Sequence, residues 1–307
     1  MAAHPTWAAM AANSSTTVDL SRLDRPIIIA PVDYDTILAR MIARVQAILP
    51  SFDATVDSDP AVKVLQVAAY VQMLDQQDFN ERLVARLVAY ATGATLDHIG
   101  AAIGVARLTL IAANDATGAP AVMEADDDLR ARIVLGPEKF AAAGPELAYV
   151  AHAKDASAQV LDASATSPAP GEVLISILSR DGDGSASADL LAAVRAIVTD
   201  PQIRPLGDLV TVASAGLVPF VVTARIWTFA GPDAALVLAT ALASLNAYLS
   251  RSRKLGRNIT LSGLSAALTV EGVQRVVLDA PIAEIVCGPT QAARCTAISV
   301  THAGYDE

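Results

Sequence analysis

At 307 residues the chain is long enough for about two independent cores, and with only two cysteines it is not a disulfide-stapled miniprotein. Hydrophobic residues make up 53% of it, aromatic residues 4% and charged residues 18%. Its apolar content is therefore aliphatic, whole-chain disorder is excluded, and the chain needs either a large core or burial against other chains. A net charge of -10 and a pI near 4.8 exclude a general nucleic-acid binder, which would carry a basic stripe.

Residues 1–17 are rich in Ala, Ser and Thr without a sustained period and are read as a flexible N-terminal arm. They lack the basic start and continuous apolar stretch of a secretory signal, so export by that route is not expected. From Val18 to Val32 the segment VDLSRLDRPIIIAPV is extended. Pro26 and Pro31 keep it out of helix, and Ile27, Ile28 and Ile29 must dock on something.

A helix follows Asp33, with Ile37, Leu38, Met41, Ile42, Val45, Ile48 and Leu49 recurring at three- and four-residue steps until Pro50. A second, longer helix is predicted from Ser58-Asp59-Pro60, where Asp caps and Pro suits the first turn, to Gly93. At about 1.5 Å per residue this is a rod of roughly 50 Å. Val64, Val67, Val71 and Leu74 form one apolar seam; Phe79, Leu83, Leu87 and Tyr90 form another, with the polar run Asp75-Gln76-Gln77-Asp78 between them. Such a rod is either the core helix of a single bundle or one member of an intermolecular bundle whose polar belt fixes the register.

Thr95 is placed to cap a short helix from Leu96 to Ala106, in which His98 reads as a structural residue. A loop over Ala112 to Ala119 leads to MEADDDLRARIV, where Asp126 and Asp127 suit the free N–H groups of a helix start. A magnesium site would need further carboxylates. Gly144-Pro145-Glu146 opens a helix through Ala156 that contains His152, and Glu138, Glu146 and His152 make no recognised catalytic spacing.

The pattern then changes to strands alternating with helices. Strands are predicted over 158–165, 173–179 and 209–213 with a helix over 187–198. A strand over 217–229, helices over 233–250 and 262–270 and a strand over 273–278 follow. The fold class is α+β, an N-terminal long-helix region followed by two small α+β modules. The divisions are an arm at 1–17, an extended segment with helical bundle at 18–107, a mostly helical middle region at 108–172, a first module at 173–216, a second at 217–286 and a C-terminal tail at 287–307.

The helix near Ala234 to Ser250 approaches the length of a membrane span, but Thr240, Ser244 and Asn246 interrupt it, so a buried helix is expected and membrane insertion is not. The string Asp181-Gly182-Asp183-Gly184-Ser185 lacks the glycine and acid of a calcium loop at the required places, and a Gly-rich turn capped by Ser187 explains it. Arg251, Arg253, Lys254 and Arg257 make the densest basic cluster, which either meets an acidic partner or favours the end of the preceding helix. Cys287 and Cys295 lack paired metal or redox spacing and read as free structural thiols. No nucleophile elbow, phosphate loop, zinc-protease pair or dinucleotide fingerprint is present, so no catalytic, metal or cofactor residue is assigned.

Four strings carry a resemblance: TLDHIGAAIGVARLTL (Thr95 to Leu110), AVMEADDDLRARIV (Ala121 to Val134), VLISILSRDGDGSAS (Val173 to Ser187) and LGRNITLSGLSAALTVEGVQRVVLDAPIAEIV (Leu255 to Val286). With VDLSRL near the start, DYDTIL and the closing AISVTHAGYDE, residues 18 to 307 resemble in order the baseplate assembly protein J family of contractile-tailed phages, related to wedge subunits of tailocins and contractile injection systems. Asp35 stands where the family pattern leads one to expect Glu.

The resemblance implies a structural role in the virion, in the tail baseplate, after assembly in the host cytoplasm. Two copies would join one smaller baseplate wedge protein through a helix bundle, using Val64, Val67, Val71, Leu74, Phe79, Leu83 and Leu87. Neighbouring wedges would join in a sixfold ring through the C-terminal module, with Leu255, Gly256, Arg257, Gly272, Val273 and Gln274 as contacts. A sheath-initiating wedge protein and the hub and spike would be further partners, and no nucleic acid, membrane or cofactor is implied. Links near Gly93 to Thr95, Ala112 to Ala119 and Gly216 are expected to act as hinges between rigid parts.

Overall fold

A computed structural model describes residues 20, 23–30, 33–56, 58–141, 144–231 and 233–306. The N-terminal arm expected over residues 1–17 lies outside the described residues. The chain is α+β and divides into two compact units, one of Asp19–Ala106 with Ala125–Arg130, the other including Arg107–Glu124 and Ala131–Glu307.

In the first unit, α1 (Tyr34–Ile48) begins where the Asp33 carboxylate accepts the Thr36 amide at 2.8 Å. α2 (Pro60–Val84) begins at Asp59, which accepts the Ala61 amide at 2.7 Å, with Pro60 in the first turn. The two helices pack together, and the buried residues are Ile37 on α1 and Val62, Ala69 and Val84 on α2. The extended segment is held by its backbone and not by its isoleucine side chains: Ile27 and Ile28 are exposed and Ile29 half-buried, so the docking expected of all three is not met among the described residues. Asn80 of α2 accepts the Ile29 amide at 2.8 Å and donates to the Ile29 carbonyl at 3.0 Å, the two bonds a neighbouring strand would supply.

α2 stops nine residues before Gly93, and the cause lies in the backbone beyond it. The amides of Arg86 and Leu87 bond to the Leu83 and Val84 carbonyls at 3.1 and 3.0 Å, the tighter spacing of a closing turn. Arg130, at the start of α4 (Asp126–Leu135), then holds the carbonyls of Val88 and Ala91, each at 2.8 Å. α3 spans Gly93–Ala102, starting earlier than Thr95 predicts, and the Gly93 amide donates to Asp126 at 3.1 Å. The acidic triplet thus serves helix starts, its Asp127 pairing with Arg130.

In the second unit, the loop over 112–119 is flanked by two short antiparallel strands, β1 (Thr109–Ile111) and β2 (Val122–Met123). After α4 a single 3-10 turn (Gly136–Phe140) precedes α5 (Glu146–Ala156). A three-stranded sheet follows, β3 (Val160–Thr166), β4 (Glu172–Ser179) and β5 (Leu209–Ser214), in the order β3-β4-β5. β3 pairs antiparallel with β4, and β4 parallel with β5 through the crossover helix α6 (Ala188–Val198), which Ser187 caps. Tyr149, Ala163, Ile175, Ile177, Val194 and Val212 lie in the resulting core. Since β3 pairs with β4 and α5 packs on β3, the module begins at α5 and not at residue 173.

The last module is a sheet of order β7-β6-β8 covered on one face by α7 (Ala234–Ser252) and α8 (Leu261–Leu268). β6 (Gly216–Thr228) is central, antiparallel to β7 (Val273–Ala280) and parallel to β8 (Gln291–Tyr305). The stretch read as a C-terminal tail therefore supplies a strand of the sheet. α7 has the length and composition to cross a membrane, but here it buries one stripe, Val237, Ala241 and Leu245, against this core while Leu236 and Thr240 are exposed. Gly263 lets α8 approach α7: a Cβ there would lie 2.3 Å from the Tyr248 hydroxyl.

Candidate functional site

α2 is apolar on two sides. One side faces α1. On the other, Val64, Val67, Val71 and Leu74 follow one another at steps of three and four residues and are exposed among the described residues, Val64 at 68% and Leu74 at 42%. At this spacing the outer stripe has the pattern of a short two-heptad seam. Asp78 then interrupts it and pairs with Arg82 at 2.8 Å.

The second expected seam is corrected by the early end of α2. Phe79 is exposed and Leu83 half-buried on the helix, but Leu87 lies in the turns beyond it. Tyr90 is also in those turns, where its hydroxyl donates to the Leu23 carbonyl at 2.5 Å. Leu87 and Tyr90 do not continue a rod.

The six C-terminal residues are not brought to one place. Leu255 bridges Ala292 beside the start of β6, whereas Val273 pairs with Thr228 at its end. Twelve residues of strand, at about 3.3 Å each, put roughly 40 Å between them. Leu255 and Val273 are buried, Gly256 and Arg257 exposed, and Gly272 and Gln274 half-buried.

Leu255 belongs to a junction between the two α+β modules that the sequence does not advertise. Leu178, Ala215, Leu255 and Ala292 form its apolar centre. Around it the Leu255 amide donates to Asp162 at 3.0 Å, Lys154 pairs with Asp162 at 3.0 Å, Ser164 donates to the Pro289 carbonyl at 2.7 Å and Arg294 pairs with Asp183 at 3.1 Å. Gly216, expected as a hinge, is clamped here: its amide bonds to the Thr290 carbonyl at 3.0 Å, and Ala215 bonds to Ile177 at 2.8 Å.

A second unforeseen cluster is ionic. Arg132 is buried between Glu124 at 2.6 Å and Asp155 at 2.8 Å, and Lys139 meets the same Asp155 at 2.6 Å. The Leu108 amide and the Arg107 guanidinium also bond to Glu124, so the network ties the β1/β2 hairpin to α4 and α5. Near it, burial pushes the His152 imidazole below its ordinary pKa, with the Lys139 charge acting in the same direction. Burial pushes both Cys287 and Cys295 thiols up, away from reactive thiolate. Among the described residues no three His, Cys, Asp or Glu side chains are grouped to hold a metal ion.

Three family models match the chain in order: the baseplate J-like N-terminal domain at residues 57–114, the baseplate J-like central domain at 141–214 and the baseplate J-like protein C-terminal domain at 220–301. The first model contains α2 and its open stripe, and the other two correspond to the modules joined at Leu255. Baseplate protein J of Escherichia phage P2 is 41% identical over 299 residues, covering 94% of this chain and 99% of that protein. By these matches the chain belongs to the baseplate J family and is a structural protein of the phage baseplate.

Proposed function

We propose that the chain is the wedge subunit of a contractile-tail baseplate. Two copies join one copy of a smaller wedge protein through a helix bundle centred on α2. The observation that carries this reading is the stripe Val64, Val67, Val71 and Leu74, exposed in the single chain and spaced for a helical partner. Wedges join in a sixfold ring around the hub and spike, with the sheath-initiating wedge protein as a further neighbour, and rearrangement of the ring triggers sheath contraction.

The role is mechanical rather than catalytic. The junction around Leu255 supports movement of the two α+β modules as one block rather than bending at Gly216. The test is co-expression with the neighbouring tail proteins after assembly in a bacterial cytoplasm. Leu74→Asp and Val71→Asp should each abolish co-purification with the smaller wedge protein while the C-terminal modules remain folded by circular dichroism. Retention of the complex by both variants would exclude α2 as the bundle element. The same reading covers the equivalent subunit of a tailocin or contractile injection system, because the wedge's physical task is identical there.

A further inference from the structure

Side-chain bonds at its two ends fix the course of the isoleucine segment in the first unit. Tyr90 donates to the Leu23 carbonyl at 2.5 Å, and Asn80 holds both the amide and the carbonyl of Ile29. Residues 23–29 therefore run beside the C-terminal part of α2 and the turns that follow it. The backbone is secured, but the apolar side chains are not. Ile27 is 74% and Leu23 50% exposed, Ile28 is exposed too, and the length of chain they run along carries exposed Phe79 and Leu87. Apolar residues exposed singly need no explanation, whereas five along one length form a contact surface.

The residues that precede this segment have the chemistry to cover it. Residues 1–17 contain no Asp, Glu, Lys or Arg, so laying them on an apolar surface buries no side-chain charge of those kinds. Trp7 and Met10 are the large apolar side chains among them, and both residue types are enriched where surfaces meet. Phe79 and Leu87 lie beyond the outer stripe of α2, which Asp78 ends, so a cover here is distinct from a partner on that stripe.

Length favours this cover over any other. Residues 8–22 separate Trp7 from Leu23, a tether of up to about 50 Å at about 3.3 Å per residue. From Leu23 to Ile28 the segment itself spans under about 20 Å, so Trp7 reaches every part of it. A tether of this size sets an effective concentration of order millimolar. A separate protein present at about 1 μM would have to bind the same surface about a thousandfold more tightly to take its place.

We infer that residues 1–17 fold back on the first unit of their own chain and cover this surface, with Trp7 seated among Ile27, Ile28 and Phe79. The isoleucine segment is then held twice, by Asn80 at its backbone and by Trp7 at its side chains. The contact lies within one chain and stands apart from the wedge reading, because it leaves Val64, Val67, Val71 and Leu74 free for the smaller wedge protein.

Cysteine pairs in the full-length chain test it. Trp7→Cys with Ile28→Cys should close a disulfide within one chain on mild oxidation, seen as a faster-running monomer on a gel without reductant. Trp7→Cys with Val64→Cys, a control on the outer stripe, should not. Burial pushes the Cys287 and Cys295 thiols up, which keeps them from competing. A disulfide formed between two chains instead would mean that a second copy covers the surface. No disulfide, or an equal yield from the control pair, would mean that residues 1–17 have no seat there. Each of these results overturns the inference. Iodide quenching is a second readout that needs no engineered cysteine: the emission lost in Trp7→Phe should be shielded from iodide in the unaltered chain, and full access overturns the contact as well. The smaller wedge protein takes part in neither experiment, so their failure leaves the wedge reading standing, and failure of that protein to bind leaves this contact standing.

Discussion

The amide of Leu255 donates to Oδ2 of Asp162 across 93 residues of sequence, and that bond ties the edge strand of one module to the buried Leu255 that follows α7 in the other. Asp162 is buried and also holds Lys154. Asp162→Ala strands both the amide and the ammonium, so it should cost about 2–4 kcal/mol. Asp162→Asn keeps an oxygen for the amide and should cost less. Urea unfolding followed by circular dichroism checks the order. An Ala variant within about 0.5 kcal/mol of the unaltered chain would mean that the junction does not hold the modules.

The local parts of this architecture were legible in the sequence, and the parts that depend on distant partners were not. Asp33, Asp59, Ser187 and Asp233 mark helix starts because a cap acts within three residues. The outer stripe of α2 was legible because helical period shows itself over two heptads. The end of α2 was not, since Arg130 fixes the turns beyond it from some forty residues away. β8 was read as a tail because Ala, Thr, Ser and Gly along it give little strand signal. Its place is set by parallel pairing with β6, in which Gln291 opposes Gly216. Asp162 and Arg132 carry no local pattern at all.

Arg132 should be among the least tolerant positions in the chain. Its guanidinium is buried against Glu124 and Asp155, and Arg132→Ala leaves the buried Glu124 carboxylate uncompensated. A loss of about 3–5 kcal/mol is expected. A paired Arg132→Met, Glu124→Gln variant removes both charges and should recover a large share of it. Thermal melting of the three proteins decides: equal losses for the single and double variants would contradict an ionic origin.

Gly263 is required by packing rather than by backbone conformation. Gly263→Ala drives a methyl into the Tyr248 hydroxyl and, at 2.9 Å, the Thr260 hydroxyl that caps α8. A cost of about 1–3 kcal/mol is expected. Tyr248→Phe removes the nearest atom and should relieve part of it, so the two changes together should cost less than the sum of each alone. Additive losses in denaturant melts would place the strain elsewhere.

His152 gives the middle module a defined pH response. Burial and the Lys139 charge depress its pKa in the folded state while Asp155 opposes them more weakly, so the unfolded chain binds its proton first. The stability it contributes is present above its unfolded pKa of about 6.5 and is lost as pH falls below that value through the folded pKa. In His152→Gln this dependence disappears. Stability of the variant relative to the unaltered chain should therefore rise as pH is lowered from about 7.5 to about 5.5. A difference that stays constant over that range would show that the imidazole takes up its proton equally in the folded and unfolded states.

The outer stripe of α2 separates folding from assembly. Val67 and Val71 are exposed in the single chain, and serine has a helix propensity close to that of valine. Val67→Ser with Val71→Ser should therefore leave the unfolding free energy of the isolated chain within about 0.5 kcal/mol. The same two changes remove apolar area that a helical partner would bury, at about 25 cal/mol per Å², and should weaken binding to the smaller wedge protein by tenfold or more. Denaturant melts and a pull-down titration on one preparation make the comparison. If stability falls as much as binding, the stripe faces the chain's own core and not a partner.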